Sequence, residues 1–170
     1  AVMLALPADH VIPDARAFRA AILTAARAAR EADVLVTLGI EPKRPATGLG
    51  YIQRGPAVGP RAPGLHRVRR FVEKPDQKTA RRYLRRGDYL WNAGIFAWSV
   101  RTILEELEAH APDLYRAWGP MLVSKRRPGV EQLRGIYRRA PSESIDVAVL
   151  ERSRRVWTLP VRFHWNDVGT

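Results

Sequence analysis

Asp9 and His10 stand directly after an apolar run, residues 1–6, and the proline Pro7. A run of that length is too short to cross a bilayer and suits a buried strand. Pro7 ends such a strand, since it has no N–H for a sheet ladder. A carboxylate and an imidazole just past a strand's C-terminal end sit where open α/β sheets bind ligands. Asp9 has two readings. It is a helix N-cap or turn residue, or a metal ligand that needs a second carboxylate from elsewhere. Asp167, in Trp165-Asn166-Asp167-Val168-Gly169, is the candidate partner.

Other chemistry-bearing clusters lie between these ends: Thr47-Gly48-Leu49-Gly50-Tyr51, Phe71-Val72-Glu73-Lys74-Pro75 and Trp91-Asn92-Ala93-Gly94. Taken singly, each has an ordinary explanation. Gly48 and Gly50 serve a bend, Glu73 and Lys74 form a solvated pair at a strand end, and Trp91 to Gly94 make a turn beside the core.

The elements that must position these residues follow from local signals. Asp14 caps an alanine-rich helix over residues 15–32, with Phe18, Ile22, Ala25 and Ala29 on its apolar face. Residues 34–38 read as a second buried strand. Strand, helix and strand in that order predict a right-handed crossover and a parallel pair. Residues 41–50 form a Pro/Gly loop, 51–54 a short strand, 55–64 a mobile Pro/Gly tip and 65–73 a returning strand, the two strands making a hairpin or a mixed-sheet pair. Asp76 caps a basic helix that ends at Gly87. A strand covers 89–98, Ser99 caps the next helix and Pro112 opens another. A further helix begins after Pro128, a short buried one spans 144–151, and strand-like runs occupy 156–160 and 161–165.

The 170 residues suffice for one domain with a sizeable core. No apolar run of about 18 residues predicts a membrane span. The absence of cysteine excludes disulfides and thiolate metal sites and makes a cytoplasmic setting the default expectation. The net charge of +12 suggests an anionic partner. Arginines are scattered along the chain, however, and no basic run is interleaved with aromatics, so a solvated surface is favoured over a nucleic-acid groove.

Read jointly and in order, the motifs resemble the sugar-nucleotide pyrophosphorylases, and most closely the mannose-1-phosphate guanylyltransferases. The resemblance runs from Leu6-Pro7-Ala8-Asp9-His10 through Arg44-Pro45-Ala46-Thr47-Gly48-Leu49-Gly50-Tyr51-Ile52 and Phe71-Val72-Glu73-Lys74-Pro75. It continues through Tyr89-Leu90-Trp91-Asn92-Ala93-Gly94-Ile95-Phe96 and Ser144-Ile145-Asp146 to the Trp165 motif. It implies an α/β fold: a Rossmann-like nucleotidyltransferase domain with a mainly parallel mixed sheet. It also implies a reaction joining mannose 1-phosphate and GTP to give GDP-mannose and pyrophosphate. Asp9 and Asp167 match the family's aspartates for Mg2+, a cation that prefers oxygen ligands. Lys74 matches the lysine that holds the sugar phosphate, and Asp9, Lys74 and Asp167 form the catalytic set. Glu73 accepts from sugar hydroxyls, Asn92 both donates and accepts there, and Gly50 lets backbone approach the sugar. No nucleic-acid or membrane partner is implied, and oligomeric state is left open.

Two departures from the family pattern set the remaining expectations. Leu49 stands where the family has tyrosine. The family's Gly-rich nucleotide loop has no counterpart before Ala1, and the chain stops at Thr170 where the family continues. The expectation is a partial domain over residues 1–170, truncated at both ends and inactive in isolation. The alternatives are a pyrophosphorylase for another hexose 1-phosphate or nucleotide, and a non-catalytic sugar-nucleotide-binding domain.

Overall fold

The computed structural model describes residues 1–123 and 127–168. Ser124 to Arg126, at the start of the basic stretch before Pro128, and Gly169 of the terminal motif lie outside the described residues. In chain order the elements are β1 (Val2–Ala5), β2 (His10–Val11), α1 (Ala15–Ala32), β3 (Leu35–Ile40), β4 (Tyr51–Ala57) and β5 (His66–Val72). They continue with α2 (Gln77–Arg86), β6 (Tyr89–Ser99), α3 (Val100–His110), α4 (Pro112–Val123) and α5 (Val130–Arg139). A π-helical turn (Asp146–Leu150), β7 (Val156–Val161) and β8 (Asn166–Asp167) complete the chain.

The helices form where their caps sit. Asp14, Asp76 and Ser99 each accept the N–H three residues on, at 2.9, 2.7 and 2.9 Å, satisfying a donor that the first turn leaves open. Asp9 is therefore not the cap of α1. Gly87 closes α2 at φ 71, in the left-handed region where a Cβ is penalised. Ala21, Ala25, Ala28 and Ala29 of α1 are buried, so this face carries small side chains that let the helix lie close on the sheet.

Six strands form one mixed sheet in the order β1-β6-β3-β7-β5-β4, and β4 also bonds to β6. Hydrogen-bonded neighbours therefore close a ring through β6, β3, β7, β5 and β4. β1, β3, β4 and β7 run one way, with β5 and β6 opposed, and the parallel pairing is β3 with β7. β1 and β3 do share a direction, but they are not a bonded pair as expected: β6 lies between them, antiparallel to both. Nor is β1 buried. It lies at the sheet edge, with Met3, Leu4 and Leu6 exposed. The 51–54 strand extends to Ala57, which shortens the Pro/Gly tip. Residues 161–165 do not form a separate strand: β7 absorbs Val161, and the chain pairs again only at β8.

Strand alternation builds two apolar clusters, one per sheet face. Val36, Leu38, Tyr51, Trp91, Ala93, Ile95 and the α1 alanines belong to the first. Leu35, Ile52, Phe71, Leu90, Phe96, Trp98 and Val149 belong to the second. Thr37 and Asn92 have the even-odd phase of the second face, so two polar groups enter that core and need partners there. Gly39 shares that face. A Cβ on it would meet Leu90 Cδ1 at 2.5 Å and Thr158 Oγ1 at 2.8 Å.

Candidate active site

The two ends of the chain meet in a small sheet. β2 and β8 pair antiparallel, with His10 opposite Asp167 and Val11 opposite Asn166. The Val168 N–H donates to the Asp9 carbonyl at 3.1 Å. This ladder brings Asp9, His10 and Asp167 together, with one ligand-type atom from each lying within 4.8 Å of the others. Two Mg–O bonds of about 2.1 Å span about 4.2 Å end to end. The carboxylates are thus near bridging distance, and hard oxygen donors fit Mg2+ or Mn2+. Trp165 Nε1 donates to His10 Nδ1 at 3.2 Å. Gly94, at φ 65, lies under this loop: a Cβ there would stand 3.3 Å from Pro7 Cγ and 4.0 Å from His10 Cε1.

Gly94 also links the metal-type cluster to the second group of candidates. Its N–H donates to Asn92 Oδ1 at 3.1 Å, and the Thr37 hydroxyl donates to the same oxygen at 2.8 Å. Asn92 Nδ2 donates to Asp146 Oδ1 at 3.0 Å. Two donors on the oxygen fix the amide's orientation and fill both its lone pairs. Asn92 is buried, and its side-chain oxygen already accepts two hydrogen bonds inside the fold. Trp91 to Gly94 is not a turn but the middle of β6.

Gly50, Glu73 and Asn92 converge. The Asn92 N–H donates to the Gly50 carbonyl at 2.8 Å, and a Cβ on Gly50 would meet Glu73 Oε2 at 2.5 Å. The room left by the missing side chain is taken by the Glu73 carboxylate. Lys74 is exposed, with Nζ 3.8 Å from Glu73 Oε1. Its φ of 43 puts it in the left-handed region, which an L-residue occupies at a cost of about 1–2 kcal/mol. The strain is held from outside the segment, because the Glu73 N–H donates to Glu151 Oε1 at 2.7 Å. Strained backbone at a charged residue is a common mark of a functional site.

Charge reinforces the grouping. Burial pushes the Glu73 carboxyl up to about 6, Asp146 and Glu151 add like-charge repulsion, and Lys74 opposes them. Burial likewise raises Asp146, against its hydrogen bond from Asn92. Sequence reasoning assigned no role to Asp146 or Glu151. Asp146 was visible in Ser144-Ile145-Asp146, but its coupling to Glu151 depends on the π-helical turn, where the Glu151 N–H bonds to the Asp146 carbonyl at 2.9 Å. Such turns are rare and concentrate at functional sites. Some of the scattered arginines are tied locally: Arg86 pairs with Asp88, Arg101 with Asp33, and Arg155 with Glu105 and Glu106.

The mixed α/β sheet thus carries a carboxylate pair at strand ends, a lysine with left-handed backbone and two partly buried acids. The chain belongs to the nucleotidyl transferase family, whose model matches residues 1–170. Similar curated proteins include the xanthan biosynthesis protein XanB of Xanthomonas campestris, 42% identical over 99% of this chain and 35% of its own length. The mannose-1-phosphate guanylyltransferase of Escherichia coli K12 is 41% identical over 99% of this chain and 36% of its own. A Thermus thermophilus structure described as a mannose-1-phosphate geranyltransferase matches at TM-score 0.86 and 39% identity, covering 99% of this chain and 47% of that one. The chain spans about a third of the length of these curated relatives. Among the described residues no helix is long and apolar enough to cross a membrane.

Proposed function

We propose that this chain is the sugar-phosphate and metal-binding part of a nucleotidyltransferase that makes GDP-mannose from mannose 1-phosphate and GTP. The observation that carries this reading is the β2–β8 ladder, which places Asp9 and Asp167 at one point, joined through Gly94 to the Gly50, Glu73 and Asn92 cluster. The similarity to mannose-1-phosphate guanylyltransferases supports the choice of sugar and base. Asp9 and Asp167 would hold Mg2+, which neutralises phosphate charge as the two anions meet.

The other residues do their work without a covalent step. Lys74, exposed just past the end of β5, places a point charge against the sugar phosphate. Glu73 accepts from sugar hydroxyls, while Asn92 keeps Asp146 and Gly94 in place. No general base is needed, because the attacking phosphate oxygen is already ionised.

The test uses the full-length gene product containing this chain, assayed with GTP, mannose 1-phosphate and Mg2+. GDP-mannose formation is expected in the unmodified protein. Lys74→Ala should weaken mannose 1-phosphate use far more than GTP binding. Asp9→Asn and Asp167→Asn should each abolish most turnover. Full turnover in either aspartate variant refutes the proposal, as does equal loss of both substrates in Lys74→Ala.

A further inference from the structure

His10 is the third member of the Asp9 and Asp167 cluster, and imidazole is the commonest side-chain metal ligand. A neutral imidazole ligates through the ring nitrogen that lacks a proton. In this fold that nitrogen is taken. The Trp165 indole has one N–H and no acceptor. It lies 3.2 Å from His10 Nδ1, and the two rings meet edge to face with centroids 5.2 Å apart. Nδ1 must therefore be the acceptor, and the proton of the neutral ring sits on Nε2. Neither nitrogen then has a lone pair free for a cation. For Nε2 to become a ligand the proton must move to Nδ1, where it would point at the Trp165 N–H.

We propose that Trp165 is a metal-selectivity residue: by holding His10 in the Nε2–H tautomer, it keeps the imidazole off the cation and leaves Asp9 and Asp167 as an all-oxygen pair. The inference rests on the reading of those aspartates as cation ligands. Its consequence is chemical. Carboxylates and water suit Mg2+ and Mn2+, whereas an available imidazole favours Zn2+, which binds nitrogen donors more tightly than Mn2+ does. A site that must use an abundant, weakly bound cation is protected by denying the competitor its preferred ligand.

The experiment measures Mn2+ and Zn2+ dissociation constants by calorimetry for the unmodified chain, Trp165→Phe, His10→Ala and the double variant. A parallel measurement records the imidazole 15N spectrum of the unmodified chain. Phe keeps the ring packing and removes the donor. Trp165→Phe is expected to tighten Zn2+ by about tenfold or more, the scale of second-shell effects, with Mn2+ within about threefold. His10→Ala alone should leave Zn2+ near the unmodified value, and adding it to Trp165→Phe should cancel the gain. The spectrum should show the proton on Nε2. Equal effects on both metals in Trp165→Phe overturn the proposal, and so does a large Zn2+ loss in His10→Ala alone. If Trp165→Phe does not fold, the spectrum decides: a proton on Nδ1 overturns the assignment. No binding of either cation to the unmodified chain removes the cation reading itself, an outcome distinct from the others.

Discussion

Replacing Asn92 by Asp tests the polar network with almost no change in shape. Asn92 Oδ1 receives the Thr37 hydroxyl and the Gly94 N–H, and an aspartate oxygen can accept both. On the other side, the N–H donated to Asp146 at 3.0 Å becomes a second carboxylate oxygen facing the first. At an effective dielectric near 20, two unit charges at that separation repel by about 5 kcal/mol. The pair can escape by keeping one proton, at about 1.4 kcal/mol for each pH unit above the ordinary carboxyl range. The stronger acceptor offered to Thr37 and Gly94 returns about 1 kcal/mol.

The net expectation for Asn92→Asp is a loss of about 3–4 kcal/mol at pH 8 and about 1 kcal/mol at pH 5. The sign follows from proton uptake. The folded pair retains a proton that the unfolded chain releases, so stability falls as pH rises. Urea denaturation at the two pH values, with the m-value checked for constancy, measures the difference. Adding Asp146→Asn should recover most of the loss at pH 8, because the amide then donates from the other side. A loss equal at both pH values, or no recovery in the double variant, refutes the hydrogen-bond account of Asn92.

Glu73 supplies an independent pH effect. Its carboxyl rises from an ordinary 4.5 to about 6, so its contribution to stability is present below about 4.5 and lost as pH climbs through about 6. After allowance for partial exposure the effect is about 1 kcal/mol, and Glu73→Gln should be the more stable protein above pH 6 by that amount in urea melts. Lys74→Gly should raise stability by about 1 kcal/mol by relieving the left-handed backbone, while weakening mannose 1-phosphate binding in calorimetry. Gly50→Ala should displace the Glu73 carboxylate, whose Oε2 is 2.5 Å from the added Cβ; binding of mannose 1-phosphate should fall more than thermal stability. Gly39→Ala should destabilise the sheet by about 1–3 kcal/mol through overpacking against Leu90 and Thr158, read as a lower urea midpoint.

What the sequence determined by itself was the local grammar. Asp14, Asp76 and Ser99 mark helix starts because a capping oxygen needs only a donor three residues away. The hairpin of β4 and β5 and the short helical turn after Ser144 were legible for the same reason: neighbouring residues carry the signal. The ordered motifs also identified the family. Tertiary structure decided the rest. No periodicity tells β1 that its partner is β6 rather than β3, because strand pairing is chosen by segments far apart in the chain. Asn92 could be read as a polar residue with free donors and acceptors until the fold set Thr37, Gly94 and Asp146 around it. Only the fold sets the Glu73 carboxylate beside Gly50 and bonds the Glu73 N–H to Glu151 next to the left-handed Lys74. Residue types announce which groups can do chemistry. Which of their hydrogen-bonding sites remain free is settled by packing, because each buried polar group must find a partner, and the fold chooses which.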